Sequence, residues 1–237
     1  TQWHQGAPFK LRFPISTSWT IWAPPGCVTI AVAQIMNYHQ FPRNYCDWSL
    51  VNQYNPKKLL EENDQDVLDE VALLSKKVAG GCRVECNFFG SGETFSTPAK
   101  AKRFLRDMGY TGTEKHLGYD ADVIKTTLNK GCPVFIGALS SSNHGHAWVI
   151  DGYLNYENII KTYNGPATLL ETKTVNKLFV HCNWGWQSTR KNGYYASKVF
   201  DTRNGPADLS GYPVATRGID TKNYTWWFRI VTYNKPR

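Results

Sequence analysis

Ala23-Pro24-Pro25-Gly26-Cys27-Val28-Thr29-Ile30-Ala31-Val32-Ala33-Gln34-Ile35-Met36-Asn37-Tyr38-His39-Gln40-Phe41-Pro42 is the stretch on which the fold turns. Two prolines and a glycine break the chain, and the run from Cys27 to His39 is then apolar on nearly every side. A helix that is hydrophobic all round is a buried one, so the stretch predicts a helix inside a core with a marked start. Pro42 stops it, because proline cannot continue the hydrogen-bond ladder and pushes the residue before it out of helical geometry.

Working outward, three amphipathic helices follow from spacing and caps. Between Asp64 and Ala79, Val67, Leu68, Val71, Leu74 and Val78 recur at helical steps, and Gly80-Gly81 closes the segment. Thr97-Pro98 is a cap followed by proline at the first helical position, with Ala101, Phe104, Leu105 and Met108 as the apolar face up to Gly109. Asp120 caps a segment carrying Val123, Ile124 and Leu128, ended by Gly131. The pattern then changes to short β-branched and aromatic runs: Pro133 to Leu139, His146 to Tyr153, Leu178 to Asn183, Gly193 to Ser197 and Thr225 to Val231. Helices first and strands later predict an α+β fold, a helical lobe packed against an antiparallel sheet, rather than a parallel alternating one. The first twenty residues, with Pro8, Pro14 and several Ser and Thr, read as an extended arm over the surface. With 237 residues, a single domain of two lobes spanning 1–237 is the expectation.

Composition excludes some classes. Charged residues are only 19% of the chain while Trp, Tyr and Phe are abundant, so it is neither a disordered segment nor a coiled coil. The net charge of +8 comes from scattered basic residues, and no nucleic-acid module fits the spacing, so no nucleic-acid partner is expected. The longest apolar runs fall far short of the roughly 20 residues that cross a bilayer. The N-terminus has no charged region followed by an apolar one, so any export signal is expected to be removed or never present. Cys82-x-x-x-Cys86 is either half of a zinc site or a short-loop disulfide, but a second ligand pair at metal spacing is missing, and neither metal nor cofactor is expected. Cys132, before Pro133-Val134-Phe135-Ile136, reads as an ordinary buried thiol.

Three segments carry chemistry. Cys27 stands at the first turn of the buried helix, where unpaired N–H groups and the helix dipole favour a thiolate. Taken alone, it also reads as a small residue filling the helix start. His146 follows Gly145 in Asn143-His144-Gly145-His146-Ala147-Trp148-Val149-Ile150-Asp151-Gly152, at the start of a half-buried strand, and an imidazole there can face a helix N-terminus and take a thiol proton. His144 is its competitor, but lies in a Ser-rich loop. In His181-Cys182-Asn183-Trp184-Gly185-Trp186, the Asn183 amide oxygen can fix the imidazole tautomer and Trp184 can keep water off that bond. The same motif also reads as a turn with core aromatics.

Together these segments resemble the streptopain family of secreted bacterial cysteine proteases, which has a papain-like fold. The resemblance rests on Gly26-Cys27-Val28 through Ala33-Gln34-Ile35-Met36-Asn37-Tyr38-His39 to Pro42, on Gly145 to Gly152, on Asn183-Trp184-Gly185-Trp186, and on His4-Gln5-Gly6-Ala7-Pro8-Phe9. It implies a cleft between the two lobes, Cys27 as nucleophile, His146 as base and later acid, Asn183 as orienter and Trp184 as shield over the Asn-His contact. It further implies protein or peptide substrates, a monomer, an inhibitory propeptide absent from this processed form, and a secreted, cell-surface or periplasmic location in a bacterium. Papain-like enzymes carry a Gln six residues before the nucleophile as an oxyanion donor, and Ile21 stands there instead. The second donor then has to come from elsewhere, with the indoles of Trp19 and Trp22 as candidates. Two other readings stay open: a related acyl transfer, as in an amidase or transglutaminase, and a papain-fold binding module that has lost catalysis.

Overall fold

The computed structural model of the protein describes residues 3–13, 23–86, 94–142, 144–166, 168–186, 191–207 and 222–236. The helix read from the opening stretch is α1 (Cys27–His39), which ends where Gln40 turns into the left-handed region at φ 47°. Nine of its side chains from Val28 to Met36 and that of Asn37 are buried. α2 (Trp48–Gln53) is a short helix whose Asp47 cap accepts from Ser49 N and Leu50 N. α3 (Gln65–Gly81) lies beside α1. A two-stranded pair, β1 (Glu85–Cys86) with β2 (Thr94–Phe95), precedes α4 (Pro98–Asp107), which Thr97 caps through Lys100 N. Asp120 in turn caps α5 (Ala121–Asn129).

The sheet is antiparallel throughout and out of chain order. β3 (Glu114–Leu117) is an edge, followed by β9 (Asn223–Thr232), β4 (Val134–Ser140), β5 (Gly145–Asn164), β6 (Thr168–Asn183) and β7 (Gly193–Ala196), with β8 (Phe200–Asp201) also on β9. This is the mixed α+β architecture that the change of pattern after Gly131 predicts. The two-residue period of the central strands sends alternate side chains to opposite faces. Phe135, Ala147 and Val149 join the core that buries α1, with Leu74 of α3 and Leu105 of α4. Val134, Ile136, Trp148 and Ile150 join a second core on the other face with Ile124, Trp184, Phe200 and Phe228.

Residues 3–13 are not the surface arm that their composition implies. Trp3 and Phe9 sit in the α1 core, Phe13 is buried too, and the segment folds on itself through Lys10 N to Gly6 O (3.3 Å) and Phe13 N to Lys10 O (3.0 Å). Two large apolar side chains outweigh the breakers around them. β5 and β6 also run far beyond the Tyr153 and Leu178 limits expected of them. Cys27, Cys46, Cys82, Cys132 and Cys182 are free thiols, and Cys132 is buried. No group of metal-binding side chains occurs among the described residues, and no helix there is long and apolar enough to cross a membrane.

His39, in the last turn of α1, packs against Tyr110 and Tyr233 and lies 3.3 Å from the Tyr233 hydroxyl. Burial, helped by the Lys235 charge, lowers its pKa to about 4. Between that value and the ordinary histidine range the unfolded chain takes up a proton that the native chain refuses, so stability falls as pH drops through this window and is level above it. Urea midpoints measured from pH 7 to pH 4 should show this slope, and His39→Gln should lessen it by up to one proton.

Candidate active site

The site is organised by how α1 begins. Gly26 precedes the helix at φ 86°, a region only glycine enters freely, and a Cβ there would lie 2.7 Å from Thr94 Oγ1. No side chain caps the helix, so its first N–H groups and positive dipole end point at whatever occupies the space in front. Cys27 is the first residue of that turn and half-buried. It opens on a cleft of about 530 Å³ whose walls also include Gln5, Thr94, His146, Ala147 and Trp227. Burial pushes the Cys27 thiol above its ordinary pKa, while the backbone N–H groups of Ala147, Val28 and Cys27 itself pull the other way. The Ala147 N–H brings β5 directly to the sulfur.

His146 is the second residue of β5, paired in register with Ala138 of β4, and its side chain is 7% exposed. Among the described residues, four aromatic rings hold the imidazole: Trp186 at 4.7 Å between centroids, Tyr224 at 5.8 Å, Trp184 at 6.0 Å and Trp148 at 6.2 Å, the last nearly parallel at 12°. Its Nε2 lies 2.9 Å from the carbonyl oxygen of Trp184. A carbonyl only accepts, so Nε2 carries the hydrogen, and Nδ1 of the neutral ring keeps the lone pair that can take a proton. His144 also lines the cleft, exposed, its backbone bound to Ser140.

The expected acceptor at the distal nitrogen was the Asn183 amide oxygen; the carbonyl one residue further along occupies that position. Asn183, buried at the end of β6, uses Oδ1 to accept from Gln34 Nε2 (3.1 Å), Asn192 Nδ2 (3.3 Å) and Gly185 N (3.5 Å). Trp184 N donates to Asn192 Oδ1 at 2.9 Å. The Trp184 ring is fully buried, 4.5 Å from Trp148 and 5.4 Å from Trp186. Asn183 therefore ties the loop to α1, while Trp184 offers its carbonyl and covers the imidazole.

Gln34, Asn192 and Gln5 escaped the sequence reading. Gln34 had a signal, since an amide on a wholly buried helix needs a partner. Asn192 had none. Gln5 lay in the segment read as a surface arm, where the His4 ring, accepting from Gly6 N at 3.0 Å, fixes the chain beside it. Ile21, Trp19 and Trp22 lie outside the described residues.

Gly185 has φ 66°, and a Cβ there would sit 2.9 Å from Ile30 Cγ2 of α1. Gly185→Ala should cost about 2 kcal/mol or more, from the left-handed backbone and the clash together. Urea denaturation measures the loss, and peptidase assays on the same variant should show the loop displaced from α1 as a fall in rate.

The curated proteins contain no match to this chain. The family model of the Peptidase C10 family matches residues 3–195, which include Cys27, His146, Asn183 and Trp184. A match over that much of the chain, joined to a thiol at an uncapped helix start and a buried imidazole on one cleft, makes the protein a member of the Peptidase C10 family of cysteine-type peptidases.

Proposed function

We propose that the protein is a secreted endopeptidase, one two-lobed catalytic domain over 1–237, that hydrolyses protein substrates through a Cys27 thioester. The observation that carries the chemistry is the pairing on one cleft of Cys27, at a helix start without a side-chain cap, with a His146 whose Nε2–H is committed to the Trp184 carbonyl. His146 Nδ1 takes the thiol proton, and the sulfur adds to the scissile carbonyl. The proton passes to the departing amine, leaving an acyl thioester. Water, deprotonated by His146, then adds to the thioester and releases the carboxylic acid and the thiol. The oxyanion of both tetrahedral states is stabilised by the Cys27 N–H and the side-chain amide of Gln5, the carboxamide on the cleft wall. Secretion, or placement at the cell surface or in the periplasm, and synthesis with an inhibitory propeptide rest on the resemblance to streptopain and its relatives.

Casein and a fluorogenic peptide, assayed with a thiol reductant, test the reading. The wild type should cleave both, and Cys27→Ala and His146→Ala should lose nearly all activity. A folded wild type as inactive as its variants rules the peptidase out for this chain. Gln5→Ala should lower kcat by about 10²–10³ with little change in KM, the loss expected of one oxyanion donor.

The titration of the thiol gives an independent check. Alkylation of Cys27 by iodoacetamide should proceed at neutral pH in the wild type, because the imidazole takes the proton. In His146→Ala, burial governs the sulfur, and the inflection should move above the ordinary thiol range.

A further inference from the structure

β5 and β6 form the edge-to-edge hairpin that carries His146 and Asn183 at its base, but most of its length serves no part of that site. β4 pairs β5 only from Gly145 to Ile150, and β7 pairs β6 only from Phe179 to Cys182. Beyond Asn155 and Leu178 the two strands have only each other in the described sheet, through Asn164 paired with Thr168. Residues 157–164 and 168–174 are exposed without exception. This arm of roughly 25 Å, at about 3.3 Å per residue, shows Ile159, Ile160, Tyr163, Leu169 and Leu170 to solvent. A two-stranded ribbon with no buried face is marginal in water, and a row of unpaired N–H and C=O groups invites another strand.

We propose that this arm pairs with the same arm of a second copy of the chain, β5 edge to β5 edge, antiparallel about a two-fold axis through Ile159. The pattern of side chains on the strand selects both the partner and the register. With Ile159 on the axis, it meets Ile159 of the second copy, Glu157 stands opposite Lys161, and Asn155 stands opposite Tyr163. The operation repeats each contact, so two ion pairs flank one apolar pair on a single face of the new four-stranded sheet. A closed isologous contact of this kind requires such self-complementarity. Opposite charges across an antiparallel pair stabilise it, and like charges oppose it.

The β6 edge is the poorer candidate. Its register shifts between Thr162 opposite Glu171 and Tyr163 opposite Leu169, so Leu170 is an extra residue that interrupts the ladder. Such a bulge twists an edge away from pairing. On β5 the ladder runs without a shift from Gly152 to Thr162. The contact is small, so the dimer forms weakly and with a clear dependence on concentration.

Sedimentation velocity on the Cys27→Ala protein, which cannot digest itself, is the test, run from low micromolar to several hundred micromolar. A reversible monomer–dimer equilibrium is expected. Glu157→Lys alone and Lys161→Glu alone should each weaken it roughly tenfold, by setting two like-charge pairs across the axis. The double variant Glu157→Lys/Lys161→Glu should restore it. Under mild oxidation Ile159→Cys should give a disulfide-linked dimer, because directly opposed residues of an antiparallel pair lie within disulfide reach, while Lys173→Cys on the outer edge should not. A chain that stays monomeric throughout overturns the proposal. So does a dimer indifferent to the single reversals, a double variant that does not recover, or equal cross-linking from both positions.

Discussion

A buried helix that starts without a side-chain cap leaves its first backbone donors available to whatever group stands before it, and α1 is such a helix. Gly26 has no side chain to offer, and Thr94 stands so close that no Cβ would fit. The first-turn N–H groups of α1 and the Ala147 N–H from β5 therefore converge on the Cys27 sulfur. An unsatisfied helix start favours any negative charge placed before it. Burial acts in the opposite sense, and for the resting thiol it is the larger effect. Under the proposed mechanism this balance makes the thiol depend on His146. In the proposed reaction the sulfur stays protonated until the His146 imidazole on the same cleft accepts the proton, and the charged pair then gains both the helix start and its own attraction.

Such a dyad works only if the two rigid parts carrying it keep their distance, since misplacement by about 1 Å is enough to cost 10²-fold in rate. α1 brings the sulfur and the β5–β6 hairpin brings the imidazole. Two contacts lock them together at the far side of the site. Gly185 lies against Ile30, leaving no room for a Cβ, and Gln34 donates to Asn183 across the same seam. The imidazole is then held by packing as well as by polar bonds. Trp148, Trp184, Trp186 and Tyr224 surround it, and the Trp184 carbonyl fixes its tautomer. Taking the acceptor from the main chain makes the tautomer a property of the loop conformation, which Asn183 maintains through Gln34, Asn192 and Gly185.

What the sequence revealed follows from which forces leave a pattern in it. α1 was legible to the residue because Pro24-Pro25-Gly26 and Pro42 bound it and burial made it apolar all round. The caps Thr97 and Asp120 fixed α4 and α5 for the same kind of reason, a local bond written in local residues. α2 was missed because six residues are too short to show a period, although its Asp47 cap is ordinary. β3, Glu114-Lys115-His116-Leu117, was missed because an exposed edge strand shows no alternation. Cys27 and His146 were singled out from a helix start and a glycine-led strand start, and the structure brings both onto one cleft. The Trp184 carbonyl was not, since every residue has one and only the tertiary fold aims it.

The same reasoning explains the largest error, the lengths of β5 and β6. Between Glu157 and Thr174 the hairpin buries no side chain among the described residues, so neither alternation nor an apolar run marks it. The backbone ladder alone holds it in register, and a ladder is indifferent to side-chain type. The residues there are free to record something other than the core. Glu157, Ile159 and Lys161 spell a sequence that is its own antiparallel complement, while Leu170 breaks the opposite edge. Strands that face only solvent commonly blunt both edges with charges of one kind or with bulges. This hairpin blunts one and leaves the other regular, with charges of opposite sign two residues either side of an isoleucine. That asymmetry is what a specified neighbour requires and what plain protection from aggregation does not.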